Sequence, residues 1–446
     1  MDYDVIIIGS GPAGASTAMH LAEMAPRIAA RTLVLERDTH PRHKLCGGGC
    51  VIDVETCLQN LGLDLSQVPQ ADAKWIHLNY HNAGFKMRMG ERAFRVVRRN
   101  EFDAWLAANM VHRGIELREQ TTVTDLQVES DGVVVRTNQG DFRAKIVVGA
   151  DGAKGMVRKY VGPDAPTQVA RVVEMYTPME SSIGLGQAEA NEAVMDFDCV
   201  AQGIQGYSWC FPMKLNGRPM RNFGAYDSGI NPQGKSSGSL RSVMKEYLER
   251  YGHRMEDYEL QGHPIRMFLS QGVFSSPRLM LVGDAAGVDA AFGEGISPAL
   301  GYGPIAAEMI RDAFESGDFS LAEYKNRVLR SSLGKSLARR TWIAKQIYRL
   351  QTPWMQSMIW RHCGAAVRWV IRNFVFNWAK PIPAPALQPA SVLPEISLST
   401  ASAERSTAEQ RPNTVVHPEQ PVPKPHLPPV TSQTEVSQVE RLSETR

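Results

Sequence analysis

Asp4-Val5-Ile6-Ile7-Ile8-Gly9-Ser10-Gly11-Pro12-Ala13-Gly14 is the stretch that decides the fold. Val5 to Ile8 is a short, unbroken apolar run, the pattern of a parallel strand covered on both faces. It opens directly onto G-x-G-x-x-G, after which Ala15, Ala18, Met19 and Ala22 follow helical spacing. A second strand, Thr32 to Leu35, ends on the acid Glu36. Strand, glycines, helix, strand and acid in that order predict a dinucleotide-binding unit. Gly9 makes the tight turn, Gly11 admits a pyrophosphate, and Gly14 lets helix and strand pack closely. The helix N-terminus offers free N–H groups and a positive dipole end to the phosphates. Glu36 offers acceptors to the adenosine ribose hydroxyls, and its charge opposes a 2′-phosphate.

Working outward, 446 residues suggest two or three domains. Hydrophobic content of 43% and charged content of 22% are ordinary for a soluble protein, and a net charge of +2 makes no global case for nucleic acid. Six cysteines at irregular spacings point to a reducing compartment rather than a disulfide framework. Cys46, Cys50 and Cys57 form no C-x-x-C pair, so no metal is expected. The first strand begins beside Met1, with no room before it for a leader, and the expected location is cytoplasmic.

Beyond Glu36, 75–80 and 85–89 read as paired strands around Asn82-Ala83-Gly84. A helix is predicted over 100–112, and strands over 121–123, 133–135 and 144–148. The last strand closes on Gly149-Ala150-Asp151-Gly152. Residues 169–265 are strand-rich apart from a helix over 240–251, and a buried strand over 279–282 closes on Gly283-Asp284. The fold class is therefore α/β, with a Rossmann-like domain interleaved with a β-rich substrate domain. The expected pieces are 1–72, 98–165 and 276–319 for the nucleotide domain, and 73–97 and 166–275 for the second. A helix over 297–314 follows Phe292-Gly293-Glu294-Gly295-Ile296, its positive end toward the cofactor ring. Gly301-Tyr302-Gly303 lies inside that helix without a preceding strand, so it reads as helix packing and not as a second nucleotide site.

Gly9 to Gly14, Gly149-Ala150-Asp151-Gly152 and Gly283-Asp284 together resemble the signature of the FAD-dependent hydroxylase superfamily, with the fold of para-hydroxybenzoate hydroxylase. The resemblance implies FAD in a glutathione-reductase-type domain, with Asp284 on its ribityl and pyrophosphate region and Arg99 reaching its phosphates. It also implies that Ala13, Arg37, Cys46, Gly47, Val123, Asp151, Gly152, Gly293, Gly295 and Ile296 belong to the cofactor site. Within the superfamily, Pro41-Arg42-His43-Lys44-Leu45-Cys46-Gly47-Gly48 looks like the loop of the geranylgeranyl reductases. Gly206-Tyr207-Ser208-Trp209-Cys210-Phe211-Pro212 resembles their Y-x-W-x-F-P motif. That family saturates carbon–carbon double bonds of polyprenyl chains on lipids, quinones or chlorophyll precursors.

On a strand, Tyr207, Trp209 and Phe211 share one face, a wall for a long apolar chain or an ordinary aromatic core. With Pro212 they are the expected substrate-binding residues. Cys46, Tyr207 and Trp209 are the expected catalytic ones. Cys46 stands among glycines that let backbone approach a ligand, and it can position substrate, relay a proton or simply pack. The electron donor is NAD(P)H or ferredoxin. An FAD monooxygenase or halogenase acting on an aromatic is the alternative, although Tyr207 and Phe211 both depart from the halogenase W-x-W-x-I-P pattern.

From Tyr324 to Pro394 there is no Asp or Glu, while Arg and Lys recur and Trp342, Trp354, Trp360, Trp369 and Trp378 cluster. The segment 320–380 is expected to be helical. Val367, Val370, Ile371, Phe374 and Trp378 share one face of a helical wheel. Two readings follow for 339–380: peripheral contact with an anionic membrane, or a cap packed on the enzyme. From Pro381 to Arg446 no aromatic residue occurs and Pro, Ser, Thr and Glu dominate, so this tail is expected to be disordered.

Overall fold

The computed structural model describes residues 2–382 apart from Asn82, Met89, 180–190, 232–237 and 350–351, so nearly all of the predicted tail lies outside the described residues. The deciding stretch folds as the strand Tyr3–Ile8 followed by the helix Pro12–Met24. Val5, Ile6 and Ile7 are fully buried because this strand is central, flanked in parallel by Gly140–Gly149 and Thr32–Leu35. The parallel set is completed by Leu279–Leu281 at one side and Glu116–Arg118 at the other. Gly9 has φ +103°, and a Cβ there would lie 2.4 Å from the Ala150 carbonyl oxygen, so only glycine makes this turn. A Cβ on Gly14 would lie 2.0 Å from the Gly9 carbonyl oxygen, which is the close helix–strand packing expected of it.

The five parallel strands present their C-terminal ends at one edge, where Gly9, Glu36, Ala150 and Gly283 succeed strands. That edge is where ligand crevices open in such sheets. The strands Val123–Val128 and Val133–Thr137 form an antiparallel branch on the N-terminal half of Gly140–Gly149. The expected strand over 121–123 is displaced. Thr121 and Thr122 lie in a connection, with Thr121 N–H donating to the Glu36 carbonyl at 2.9 Å.

A second sheet of seven strands runs in the order Gln261–Arg266, Val169–Pro178, Arg218–Asp227, Gly206–Leu215, Glu192–Asp196, Trp75–Tyr80, Ala83–Met87. The hairpin at its edge is tighter than expected, because Tyr80 pairs with Ala83 and both Ala83 and Gly84 belong to the strand. Between the two sheets the chain passes through a small third sheet, in which Gly49–Cys50 and Gln70–Ala73 flank Phe94–Val97. This small sheet anchors the cysteine loop.

The helix Ile296–Ser316 packs along Pro12–Met24. Gly303 allows the approach, since a Cβ there would meet the Ser16 hydroxyl at 2.1 Å, and Gly301 similarly admits Trp378. The C-terminal part forms helices Tyr324–Arg330, Ser332–Arg349, Pro353–Ser357 and Gly364–Val370, with π-helical turns at Met358–His362 and Ile371–Val375. The wheel face expected over 367–378 turns inward. Ile371 and Trp378 are buried and Val367, Val370 and Phe374 are half-buried, because Gly301 leaves a recess for Trp378. That face is a cap on the enzyme. Among the described residues no helix is long and apolar enough to cross a membrane.

Candidate functional site

The parallel-strand edge, the cysteine loop and the inner face of the seven-stranded sheet enclose a cavity of about 460 Å³. Its dinucleotide end is lined by Gly9, Gly11, Ala13, Glu36, Arg37 and Val123. Asp151, Gly152, Asp284, Gly293, Gly295 and Ile296 line its middle. Gly14 is not on the wall, since its work is packing.

A diphosphate fits the residues present. Two guanidinium groups converge on Gly11, where a Cβ would stand 3.3 Å from Arg42 Nη2 and 4.0 Å from Arg99 Nη2. They do so at the N-terminus of the helix Pro12–Met24, where backbone N–H groups and the helix dipole favour an anion. Asp103, fully buried, holds both arginines, at 2.7 Å to Arg99 and 3.1 Å to Arg42. Arg42 also reaches Glu36 at 3.3 Å, and Ser10 donates its N–H and hydroxyl to the same carboxylate at 3.1 and 2.7 Å. Burial acts to raise the Glu36 pKa, but Arg42 and Ser10 win and hold it below the usual carboxylate range. Glu36 therefore carries the charge expected to face a ribose. Asp151 keeps one buried carboxylate oxygen without a hydrogen-bond partner, available to a ligand hydroxyl.

The cysteine loop is pinned on both sides of Cys46. Its N–H donates to Glu174 Oε1 at 3.0 Å, and its carbonyl accepts from Asn222 Nδ2 at 3.5 Å. Cys46 Sγ accepts the Gly48 N–H at 3.4 Å. Gly48 has φ +72° and lies against the Val97 backbone, where a Cβ would clash at 2.1 Å. Burial pushes the Cys46 thiol up, with Arg99 opposing, so at neutral pH it is a protonated thiol and no nucleophilic thiolate.

Tyr207, Trp209 and Phe211 do form one wall, with neighbouring ring centroids 6.1 Å apart in both pairs. They face the cysteine loop, as a Cβ on Gly47 would stand 3.5 Å from Trp209 Nε1 and 3.6 Å from the Phe211 ring. Phe94 and Phe292 extend this surface. Two of the expected roles are narrowed. The Tyr207 hydroxyl donates to the Phe292 carbonyl and Trp209 Nε1 donates to Asn222 Oδ1 at 3.0 Å, so both polar hydrogens are engaged in holding the wall. Pro212 is buried outside the cavity lining, because strand alternation turns it away from Phe211.

The sequence offers His43 and Lys44 as alternatives for charge near the site; sequence reasoning missed Glu174, Arg42, Phe376 and His263, the partner of Lys44. Lys44 Nζ lies 2.6 Å from His263 Nε2, and burial followed by Lys44 itself pushes this histidine down to about 3. Glu174 stands on the strand Val169–Pro178, 1% exposed, and accepts from Tyr176 as well as from Cys46, while its Oε2 has no hydrogen-bond partner. Burial raises its pKa to about 7. The lone acid in a run of strand-forming residues is a signal that could have been read.

A buried carboxyl with a raised pKa penalises the folded state once it ionises. The penalty is absent below pH 4.5, the unfolded value, grows through neutrality and is complete above pH 7. Glu174→Gln keeps the acceptor for Cys46 but cannot ionise. Urea unfolding at pH 8 is expected to show the variant more stable by on the order of 3 kcal/mol, with no difference at pH 4.5. An equal gap at both pH values would show that the charge is not what matters.

Residues 2–197 match the FAD binding domain family. The chain is 29% identical over 339 residues to a digeranylgeranylglycerophospholipid reductase of Methanosarcina acetivorans, spanning 72% of this chain and 77% of that one. It is 28% identical over 333 residues to an uncharacterized protein of Methanosarcina barkeri, spanning 74% and 79%. A solved geranylgeranyl bacteriochlorophyll reductase-like protein from Thermoplasma acidophilum has TM-score 0.66 at 20% identity, with 83% of this chain and 96% of that one covered. The halogenase PltM has TM-score 0.60 at 17% identity, with 81% and 78% covered. At such identities the solved structures speak for the fold alone.

Proposed function

We propose that this chain, which belongs to the geranylgeranyl reductase-like FAD-dependent oxidoreductases, saturates carbon–carbon double bonds of a polyprenyl chain on a lipid, quinone or chlorophyll-like substrate. The observation that carries the reading is the aromatic wall set directly against the cysteine loop, with the dinucleotide cradle opening into the same cavity. Such a wall suits an extended apolar chain and offers it no charged anchor. The digeranylgeranylglycerophospholipid reductases among the relatives support the same substrate class.

FAD supplies the two-electron chemistry when bound, and a double bond gaining two hydrogens needs a proton as well. The protein's own part is binding, orientation and proton management. Gly9, Gly11, Arg42 and Arg99 would hold the diphosphate, with Glu36 toward the ribose. Tyr207, Trp209 and Phe211 align the chain and exclude water. Cys46, held as a neutral thiol by burial, is the proton-bearing group on the loop that faces them. Cys46→Ala is expected to keep FAD, read from its absorbance, and to lower turnover about 100-fold or more. Unchanged turnover with FAD retained would remove the thiol from the mechanism.

NAD(P)H or ferredoxin is the proposed electron source, the proposed location is cytoplasmic, and 339–380 is the proposed membrane contact. The halogenase neighbours share the fold, so the deciding experiment must separate the chemistries. Mass spectrometry of cellular lipids, quinones and pigments after gene deletion is expected to show polyprenyl compounds lacking two hydrogens per unreduced double bond. An unchanged polyprenyl profile with a missing hydroxylated or halogenated aromatic would overturn the reading.

A further inference from the structure

The C-terminal helices carry two faces with different chemistry. The helix Ser332–Arg349 buries Leu333, Leu337, Arg340, Ala344 and Tyr348 against the enzyme. Its outer side, at spacings of three and four, presents Lys335, Arg339, Trp342, Lys345 and Arg349, all exposed. Acids would normally interleave such a stripe, but none occurs from Tyr324 to Pro394, and none of the four cations has a carboxylate partner among the described residues. Trp342 is 64% exposed, a large apolar ring left in water without a covering side chain.

The stripe is continuous with a second aromatic group. Arg339 lies over the Phe374 ring at 5.5 Å, and Phe374 meets Trp369 edge to face at 5.2 Å. Trp369 is 58% exposed and is flanked by Arg368 and Arg372. Trp354, on the short helix Pro353–Ser357, is 67% exposed. The inner side of the same segment belongs to the site, since Ile371 and Phe376 line the cavity and Phe376 stacks on Phe292 with centroids 6.3 Å apart.

We propose that the outer face of Ser332–Arg349, together with Trp369, docks the enzyme onto a bilayer containing anionic lipid. Tryptophan rings settle at the headgroup level, and unpaired cations beside them meet the negative surface potential. A second copy of the chain would set like charges against each other across a two-fold axis. The purpose of docking rests on the polyprenyl reading. The same C-terminal segment supplies Ile371 and Phe376 to the cavity wall, so docking would bring the cavity up to the lipid. The face differs from the wheel face 367–378, which is packed inward.

The test uses the FAD-loaded full-length chain in flotation with vesicles of phosphatidylcholine alone or mixed with phosphatidylglycerol. Binding is expected to require phosphatidylglycerol, to weaken with salt, and to blue-shift tryptophan emission. Lys335→Glu with Arg339→Glu and Lys345→Glu should lower the affinity at least about tenfold. The milder pair Trp342→Ala and Trp369→Ala should also lower it, with FAD content, melting temperature and turnover on detergent-dispersed substrate unchanged. Equal binding to neutral vesicles, or equal binding by the variants, would overturn the proposal. So would loss of a homodimer in the tryptophan pair, or charge-dependent binding to nucleic acid with none to vesicles. No substrate is present in the flotation, so a failure of the reductase reading would leave this result standing.

Discussion

Arg340→Met is expected to cost the enzyme about 3–5 kcal/mol of stability, the largest loss from any single side chain of the C-terminal segment. Arg340 is fully buried, and its Nη1 reaches Asp289 at 3.3 Å and Glu294 at 3.1 Å while Nη2 donates to the Val375 carbonyl. Met fills much of the space but leaves two buried carboxylates without their cation. Burial already pushes the Glu294 pKa up, with Arg340 opposing. Glu294 also accepts the Ser297 N–H and hydroxyl at 2.8 and 2.7 Å, so it shapes the start of the helix Ile296–Ser316 at the cavity wall. The loss should therefore appear in both urea unfolding and FAD retention. Arg340→Met with Glu294→Gln and Asp289→Asn should recover much of it, since the orphaned charges are then gone. A single variant as stable as the parent would show that the triad contributes nothing.

Gly47→Leu should abolish most activity while leaving the fold intact. Gly47 faces Trp209 and Phe211 at ordinary contact distance, so alanine just touches the wall and leucine projects into the space between loop and rings. Gly47→Ala is expected within a few-fold of the parent, and Gly47→Leu to lose about 100-fold or more in kcat/KM, with FAD content and melting temperature preserved. A leucine variant with full activity would place the substrate elsewhere in the cavity.

Much of the nucleotide side was legible because it is local. A buried strand, a glycine turn and a helix N-terminus are contiguous, and each residue's role follows from its neighbours in sequence. Asp151 and Asp284 were readable for the same reason, as acids just past strand ends. The aromatic face was legible from period-two alternation, but its bonding was not: Tyr207 finds the Phe292 carbonyl and Trp209 finds Asn222 only after the sheet has formed. Glu174 meets Cys46 across 128 residues, a pairing that no local pattern encodes. The C-terminal helices show the converse failure. Periodicity found an apolar face over 367–378, but could not show that Gly301 leaves room for Trp378 and turns that face inward.

Double-bond reduction is tested by an anaerobic reaction of the purified FAD enzyme, reduced with dithionite, with a geranylgeranyl lipid and separately with an electron-rich aromatic. Reoxidation by the lipid alone is expected, with product masses higher by two hydrogens for each double bond consumed and product yield falling sharply in Cys46→Ala. A lipid recovered unchanged without dioxygen, together with hydroxylation or halogenation of the aromatic once air is admitted, would contradict it.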